Sequence, residues 1–379
     1  MDNLVLPVEG LAEKFEQQFT ELKNEIINPN ILILGQTGVG KSSLINTIFG
    51  KNIAAVSNTK AQTQGFHKYT DKDVPVNIID SEGYELEKSA DFKKMIEEYI
   101  NLHFDELNKQ IHLAWYCISI SSARVLPYDI DILKFLLEKN IPTCVVLTQC
   151  DNDTPEGTTA AKLKQVIDDN FGGRIECFQV SNDEEINKQL NIDELIYWSR
   201  NNLSEENLRL GFAVAQKKNL ELKKEDAEKR IKFYAASAAA VGATPIPVSD
   251  AVLLTALQVK MCADIFGIYG LDNNISSTVK NVISGQVVSL LGKTLAGNLI
   301  KLIPVAGTAV GAVINATVAT SITVSMGYAI SRLTKKCIEN RLTGKFMEGL
   351  PVIFNQENLN KLIDEFNSKN KECKENSLT

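Results

Sequence analysis

An excess of positive charge is missing from this sequence. Its 40 Lys and Arg face 47 Asp and Glu, for a formal net charge of −7 and a pI near 5.3. No chain-wide basic face is there to displace counterions from nucleic acid, so nucleic acid is not an expected partner, and only a local basic patch stays open. Paired cysteines are missing too. Cys117, Cys144, Cys150, Cys177, Cys262, Cys337 and Cys373 form an odd set without metal-site spacing, several of them inside apolar runs. They read as reduced structural thiols in a cytoplasmic protein. The start, Met1, Asp2, Asn3, has neither the basic residues nor the apolar run of a secretory signal. With 22 Gly and 10 Pro the chain is too poor in both for low-complexity disorder. What is present, 44% hydrophobic and 23% charged residues in 379, is a globular composition long enough for two domains.

Leu11, Phe15, Phe19, Leu22 and Ile26 recur at spacings of three and four on an otherwise charged segment. This predicts an N-terminal amphipathic helix within 1–29 that docks on another element. From 30 to 200, apolar runs at 31–34, 74–79, 112–120, 143–147 and 175–180 alternate with helical patterns, one carrying Met95, Ile96, Tyr99 and Ile100, another Ile132, Phe135 and Leu136. Strands this continuously apolar are covered on both faces, which predicts an α/β domain with an open, mainly parallel sheet flanked by helices. The strand signals stop after Ile192, and a mixed-charge helical stretch fills 217–232. Between 233 and 330 only seven residues of 98 are charged, so 201–345 reads as a second, all-α domain rich in small residues. Proline breaks at Pro245 and Pro247 and at Pro304 read as helical hairpin turns. The part from 346 to 379 is a polar tail with a short amphipathic helix bearing Leu359, Leu362, Ile363 and Phe366.

Chemistry concentrates in the first domain. Gly35, Gln36, Thr37, Gly38, Val39, Gly40, Lys41 and Ser42 match GxxxxGKS between a strand and a helix face of Leu44, Ile45, Ile48 and Phe49. Glycines let backbone N–H groups turn inward around phosphate oxygens, and the helix N-terminus beginning there, with Ser43, adds partial positive charge. Lys41 is then expected on the β and γ phosphates and Ser42 on Mg²⁺. Thr148, Gln149, Cys150 and Asp151 close the run 143–147 as a [NT][KQ]xD base signature. A carboxylate there accepts from both N1–H and the 2-amino group of guanine, a donor pair that adenine lacks. Gln149 is expected to lay its stem on the purine. Asp80, Ser81, Glu82 and Gly83 form DxxG after the run 74–79, with Asp80 held to Mg²⁺ through water and the Gly83 N–H at the γ-phosphate. Thr63, with Thr59 behind it, is the expected hydroxyl that closes on Mg²⁺. Ser181 and Asn182 are expected to touch the base through their backbone.

With "GQTGVGKSSLIN", "KAQTQ", "DSEG" and "TQCD" in order, residues 30–182 resemble the Era-like and septin-like P-loop GTPases. The C-terminal part, with "TPIPVSDAVLL" and "IPVAGTAVGAVINATVATSITVSMGYAI", resembles the YcjF-type helical domain found fused to such GTPases in bacteria. The resemblance implies a bacterial GTPase with a membrane-associated or membrane-stress role, more loosely like immunity-related and dynamin-like proteins. It departs at Tyr84, where many regulatory GTPases carry a water-orienting Gln, and Arg124 is a candidate cation for the phosphates. Turnover is therefore expected to be slow until self-association or a partner raises it.

Residues 302–330 run 29 positions without Asp, Glu, Lys, Arg or His, long enough to cross a bilayer of roughly 30 Å. They are also rich in Ala, Gly, Thr and Ser and contain Asn315, which suits close helix contacts in water as well as in lipid. Membrane association through 233–330, at the inner face of the cytoplasmic membrane, and a soluble helical bundle both stand. Two functions compete accordingly: a GTP-hydrolysing switch coupled to a membrane or partner, and a nucleotide-binding assembly scaffold, such as a homo-oligomer, with negligible turnover.

Overall fold

The structure is a computed structural model of the 379-residue chain. It describes residues 8–50, 60–63, 66–71, 74–81, 89–103, 106–216, 219–243, 249–271, 316–342 and 353–376. The chain divides into two compact units, Ile26–Asn219 and a second built from Met1–Glu25 with Leu220–Thr379.

In the first unit the elements run β1 (Asn30–Leu34), α2 (Lys41–Phe49), β2 (Lys60–Thr63), β3 (Phe66–Asp71), β4 (Val74–Ser81), α3 (Ser89–His103), β5 (Leu113–Ser119), α4 (Pro127–Glu138), β6 (Thr143–Thr148), α5 (Thr158–Phe171), β7 (Cys177–Gln179), α6 (Glu184–Asn187), α7 (Ile192–Asn202) and α8 (Glu206–Ala215). Helix α1 (Val8–Glu25) belongs to the other unit. The seven strands form one sheet in the order β2-β3-β4-β1-β5-β6-β7. β4, β1, β5, β6 and β7 are parallel, whereas β2 and β3 add an antiparallel edge. The sheet is thus mainly parallel, as the apolar runs required. The edge hairpin has no such run: "KAQT" and "FHKYTD" are mostly polar and gain their order from backbone pairing, β2 with β3 and β3 with β4.

Every residue of β1, β5 and β6 is buried, which fits a sheet covered by helices on both faces. On one face Tyr116 and Ile118 of β5 pack with Leu133 and Phe135 of α4 and Leu163 of α5. On the other, Trp115 stacks on Phe49 of α2 at 6.1 Å, and Phe212 of α8 meets Phe49 edge-on at 6.0 Å. The indole N–H of Trp115 donates to Ser199 Oγ at 3.0 Å, which satisfies its polar atom in the core. Helix α8 can lie against the carbonyl of Ile27 only because residue 211 is glycine, since a Cβ there would stand 2.3 Å from that oxygen. The compositional boundary near 200 therefore falls at Leu220, because α7 and α8 complete the cover of the sheet.

The second unit contains α1, α9 (Leu220–Gly242), α10 (Ser249–Tyr269), α11 (Ala316–Leu342) and α12 (Gln356–Asn376). The stripe on α1 docks on α10: Phe15 meets Phe266 edge-on at 5.8 Å, and Leu22 lies over Gly267. No helix among the described residues is long and apolar enough to cross a membrane. Residues 302–315 and the breaks at Pro245, Pro247 and Pro304 lie outside the described residues.

Asp264 sits in this core, fully buried. It accepts from Gln18 Nε2 and Tyr234 Oη, each at 3.0 Å, and Arg230 stands 3.8 Å away. Burial outweighs these partners and raises its pKa from 3.8 to about 6. The folded state then holds a proton that the unfolded chain has released, so this residue's contribution to stability falls as pH rises from about 4 to about 6. Urea unfolding of the wild type and of Asp264→Asn should show it: the wild type loses stability relative to the variant across that window, and the difference is level above it.

Candidate functional site

The turn out of β1 is fixed by steric exclusion. Gly35 has φ +137°, and a Cβ there would stand 2.4 Å from the carbonyl oxygen of Cys117 on β5. Gly38 and Gly40 follow at φ +82° and +96°, in the left-handed region where side chains are strained. Gly40 caps α2 without a side-chain hydrogen bond, and the first turn of α2 carries no acid. Its N–H groups and partial positive charge therefore face the loop uncompensated.

The carbonyl oxygens of the loop are held by donors. Lys41, buried, donates through Nζ to Gly35 O at 3.0 Å and Gln36 O at 3.2 Å. Gln149 Nε2 donates to Gly38 O at 3.2 Å, and Thr148 Oγ1 donates to Val39 O in a short bond. Four carbonyls of the loop are so engaged, and within the loop the Val39 N–H donates to Gln36 O at 3.4 Å.

Sheet order brings the other expected residues to the same edge. Asp80, the penultimate residue of β4, is in register with Ile33 of β1 and is buried. Ser42 is exposed at the start of α2. Thr63 is the last residue of β2, paired in register with Phe66 of β3. Thr59, Glu82, Gly83 and Tyr84 lie outside the described residues. Cys117, behind the loop, is fully buried and its thiol is pushed up to about 12 by that burial, which keeps it unreactive. Cys117, Cys144, Cys150, Cys177, Cys262 and Cys337 are free thiols.

At the end of β6 the chain turns through Gln149 at φ +58° into a single helical turn, Cys150–Asn152. Asp151 is exposed, and Ser181 Oγ donates to its Oδ1 at 2.7 Å. The backbone of Ser181 is engaged otherwise: its N–H donates to Asn187 Oδ1 at 2.8 Å and its carbonyl accepts from Asn187 Nδ2 at 2.5 Å. The Ser181 hydroxyl thus contacts the Asp151 carboxylate, while Asn187, which no motif announced, holds the Ser181 backbone. Asn182 is exposed beside it. Arg124 is also exposed and lines a small cleft with Gln36, Val39, Ser119, Ser122 and Asp129. Ser119, which ends β5, and Ser121, in the turn after it, both donate to Gln149 Oε1, at 2.6 and 3.1 Å. Sequence reasoning passed over them because two serines at a strand end carry no spacing of their own.

The family model described as 50S ribosome-binding GTPase matches residues 30–149. A relative described as probable GTP-binding protein EngB, from Aquifex aeolicus, is 32% identical over 146 residues, spanning 36% of this chain and 74% of that one. A protein of the same description from Streptococcus mutans is 34% identical over 153 residues, 38% of this chain and 74% of the other. Among solved structures, a probable GTP-binding protein engB aligns at 19% identity over 46% of this chain and 97% of its own, with a TM-score of 0.33.

The Gly35 constraint yields a direct expectation. Gly35→Ala should cost about 1–3 kcal/mol from the forced contact with the Cys117 carbonyl, measured as a lowered urea midpoint. Gly38→Ala, where a Cβ meets nothing within 4 Å, should cost about 1 kcal/mol, from backbone strain alone.

Proposed function

The chain belongs to the family of P-loop GTP-binding proteins that includes the EngB proteins, and we propose that it binds GTP with Mg²⁺ at the edge formed by β1, β4 and β6 and hydrolyses it to GDP and phosphate. One observation carries the reading: a loop whose carbonyls are held by Lys41, Gln149 and Thr148 stands beside a carboxylate, Asp151, already aimed by Ser181.

In this reading the amides from Gln36 to Ser43, Thr37 and Val39 included, cradle the phosphates, and Lys41 exchanges its carbonyl partners for the β and γ oxygens. Asp151 takes N1–H and the 2-amino group of guanine. Ser42, Asp80 and Thr63 would hold Mg²⁺. They are hard oxygen donors, which suit an ion that takes much of its shell from water and substrate phosphates. When bound, the ion neutralises charge developing on the transferred phosphoryl group. Thr63 and the Gly83 N–H respond to the γ-phosphate, and the helical unit passes that response to a membrane or partner.

Tyr84, in place of a water-orienting Gln, supports slow turnover that self-association or a partner accelerates. The same residue favours a second reading, an assembly scaffold that binds GTP without turning it over. Phosphate release measured across protein concentrations separates the two, since a flat rate near zero at every concentration rejects the enzyme.

Asp151→Asn should weaken GDP binding about a hundredfold or more, through the loss of two charge-assisted hydrogen bonds. It should also gain affinity for xanthosine diphosphate, whose C2 carbonyl accepts from the new amide. Competition against labelled GDP reads both changes, and unaltered GDP affinity in the variant overturns the base assignment.

A further inference from the structure

The carboxamide of Gln149 presents a chemical problem that a lysine in its place would not. A lysine donates only, and the carbonyls of the phosphate loop satisfy it. A carboxamide also carries an acceptor oxygen, which must be matched and aimed if the side chain is to stay in one orientation.

Here β5 supplies the match. Ser119, buried at the end of the strand, stands in register with Thr148 of β6. Its Oγ accepts from the Ser121 N–H at 3.1 Å, so its one proton is free to go to Gln149 Oε1, at 2.6 Å. The Ser121 hydroxyl reaches the same oxygen at 3.1 Å. On the other side Gln149 Nε2 donates to Gly38 O at 3.2 Å. Flipping the amide would set its oxygen against a carbonyl oxygen, so the arrangement admits one orientation. The left-handed backbone at Gln149 fixes the root of the side chain as well.

We propose that Ser119 and Ser121 are positioning residues for the nucleotide site: through Gln149 they set the side of the pocket that covers the purine and hold the Gly38 carbonyl away from the phosphates. The proposal rests on the guanine-nucleotide reading of this site. It assigns the serines an effect on nucleotide affinity that passes through one carboxamide and nowhere else.

A double-mutant cycle on the full chain tests it, read as the dissociation constant and off-rate of a fluorescent GDP analogue. Wild-type protein that fails to bind the analogue sinks the guanine reading itself. If it binds, Ser119→Ala should weaken binding by about threefold to tenfold, mainly through a faster off-rate, with KM for GTP rising and kcat unchanged. Ser119→Thr should restore most of the affinity. The decisive arm is Gln149→Ala, in which adding Ser119→Ala should cost nothing further. A serine effect of the same size in the Gln149→Ala background overturns the proposal, as does a change in kcat without a change in affinity. Ser121 is exposed, so Ser121→Ala is expected to fold whatever becomes of the buried serine. It should show a smaller loss that likewise vanishes in the Gln149→Ala background, and persistence of its cost there also overturns the proposal.

Discussion

A loop built to surround polyphosphate must first dispose of its own carbonyl oxygens, because each one left pointing inward repels the ligand. In this protein Lys41 takes Gly35 O and Gln36 O, Gln149 takes Gly38 O, and Thr148 takes Val39 O. Two of these three side chains come from the last residue of β6 and the residue after it, more than a hundred positions downstream. The loop is therefore a composite of its own sequence and of the strand that carries the base signature. In the proposed function, coupling of this kind makes phosphate and base recognition parts of one network, and non-additive substitutions are its expected signature.

The network depends on sheet order. β1 lies between β4 and β5, and β6 follows β5, so the carboxyl ends of all four strands meet at one edge, where the connections diverge to opposite sides of β1. The closeness of that meeting is set at Gly35, whose backbone passes too near the Cys117 carbonyl for any side chain. Complete burial of β1 and β5 holds the two strands at that separation. Burial also leaves the Cys117 thiol protonated beside Lys41 and Asp80, so it does not bring a second anion into the site.

Much of this was legible in the sequence, for identifiable reasons. The five parallel strands showed because strands covered on both faces must be apolar throughout. The loop after β1, Asp80 and Asp151 stood out as candidates because the proposed chemistry fixes residue type at fixed spacing. β2 and β3 did not show, since an edge hairpin is held by backbone pairing that leaves little mark on composition. Ser119, Ser121 and Asn187 did not show either. Each acts on a residue distant in sequence, at separations set by tertiary packing, and no local pattern encodes such a pairing. The sequence did pose the question that the serines answer, since a Gln at position 149 needs donors that a Lys would not.

The same distinction governs the helical unit, where low charge and small side chains pointed equally to a bilayer and to a tight bundle. In the described part, small residues coincide with backbone contact. A Cβ at Gly327 would meet Ile231 at 2.7 Å, and one at Gly242 would meet the backbone of Ala316 at 3.0 Å. Hydroxyls along α11 are satisfied within the helix, Thr323 on Ala319 O at 2.8 Å and Thr334 on Ile330 O at 2.7 Å. Polar side chains at the interior of α10 have partners in the same unit, Gln258 on Thr323 at 3.3 Å and Asp264 among Gln18, Tyr234 and Arg230. Helices that exchange side-chain volume for close approach need few charged residues on their contact faces. The composition of α10 and α11 follows from that packing.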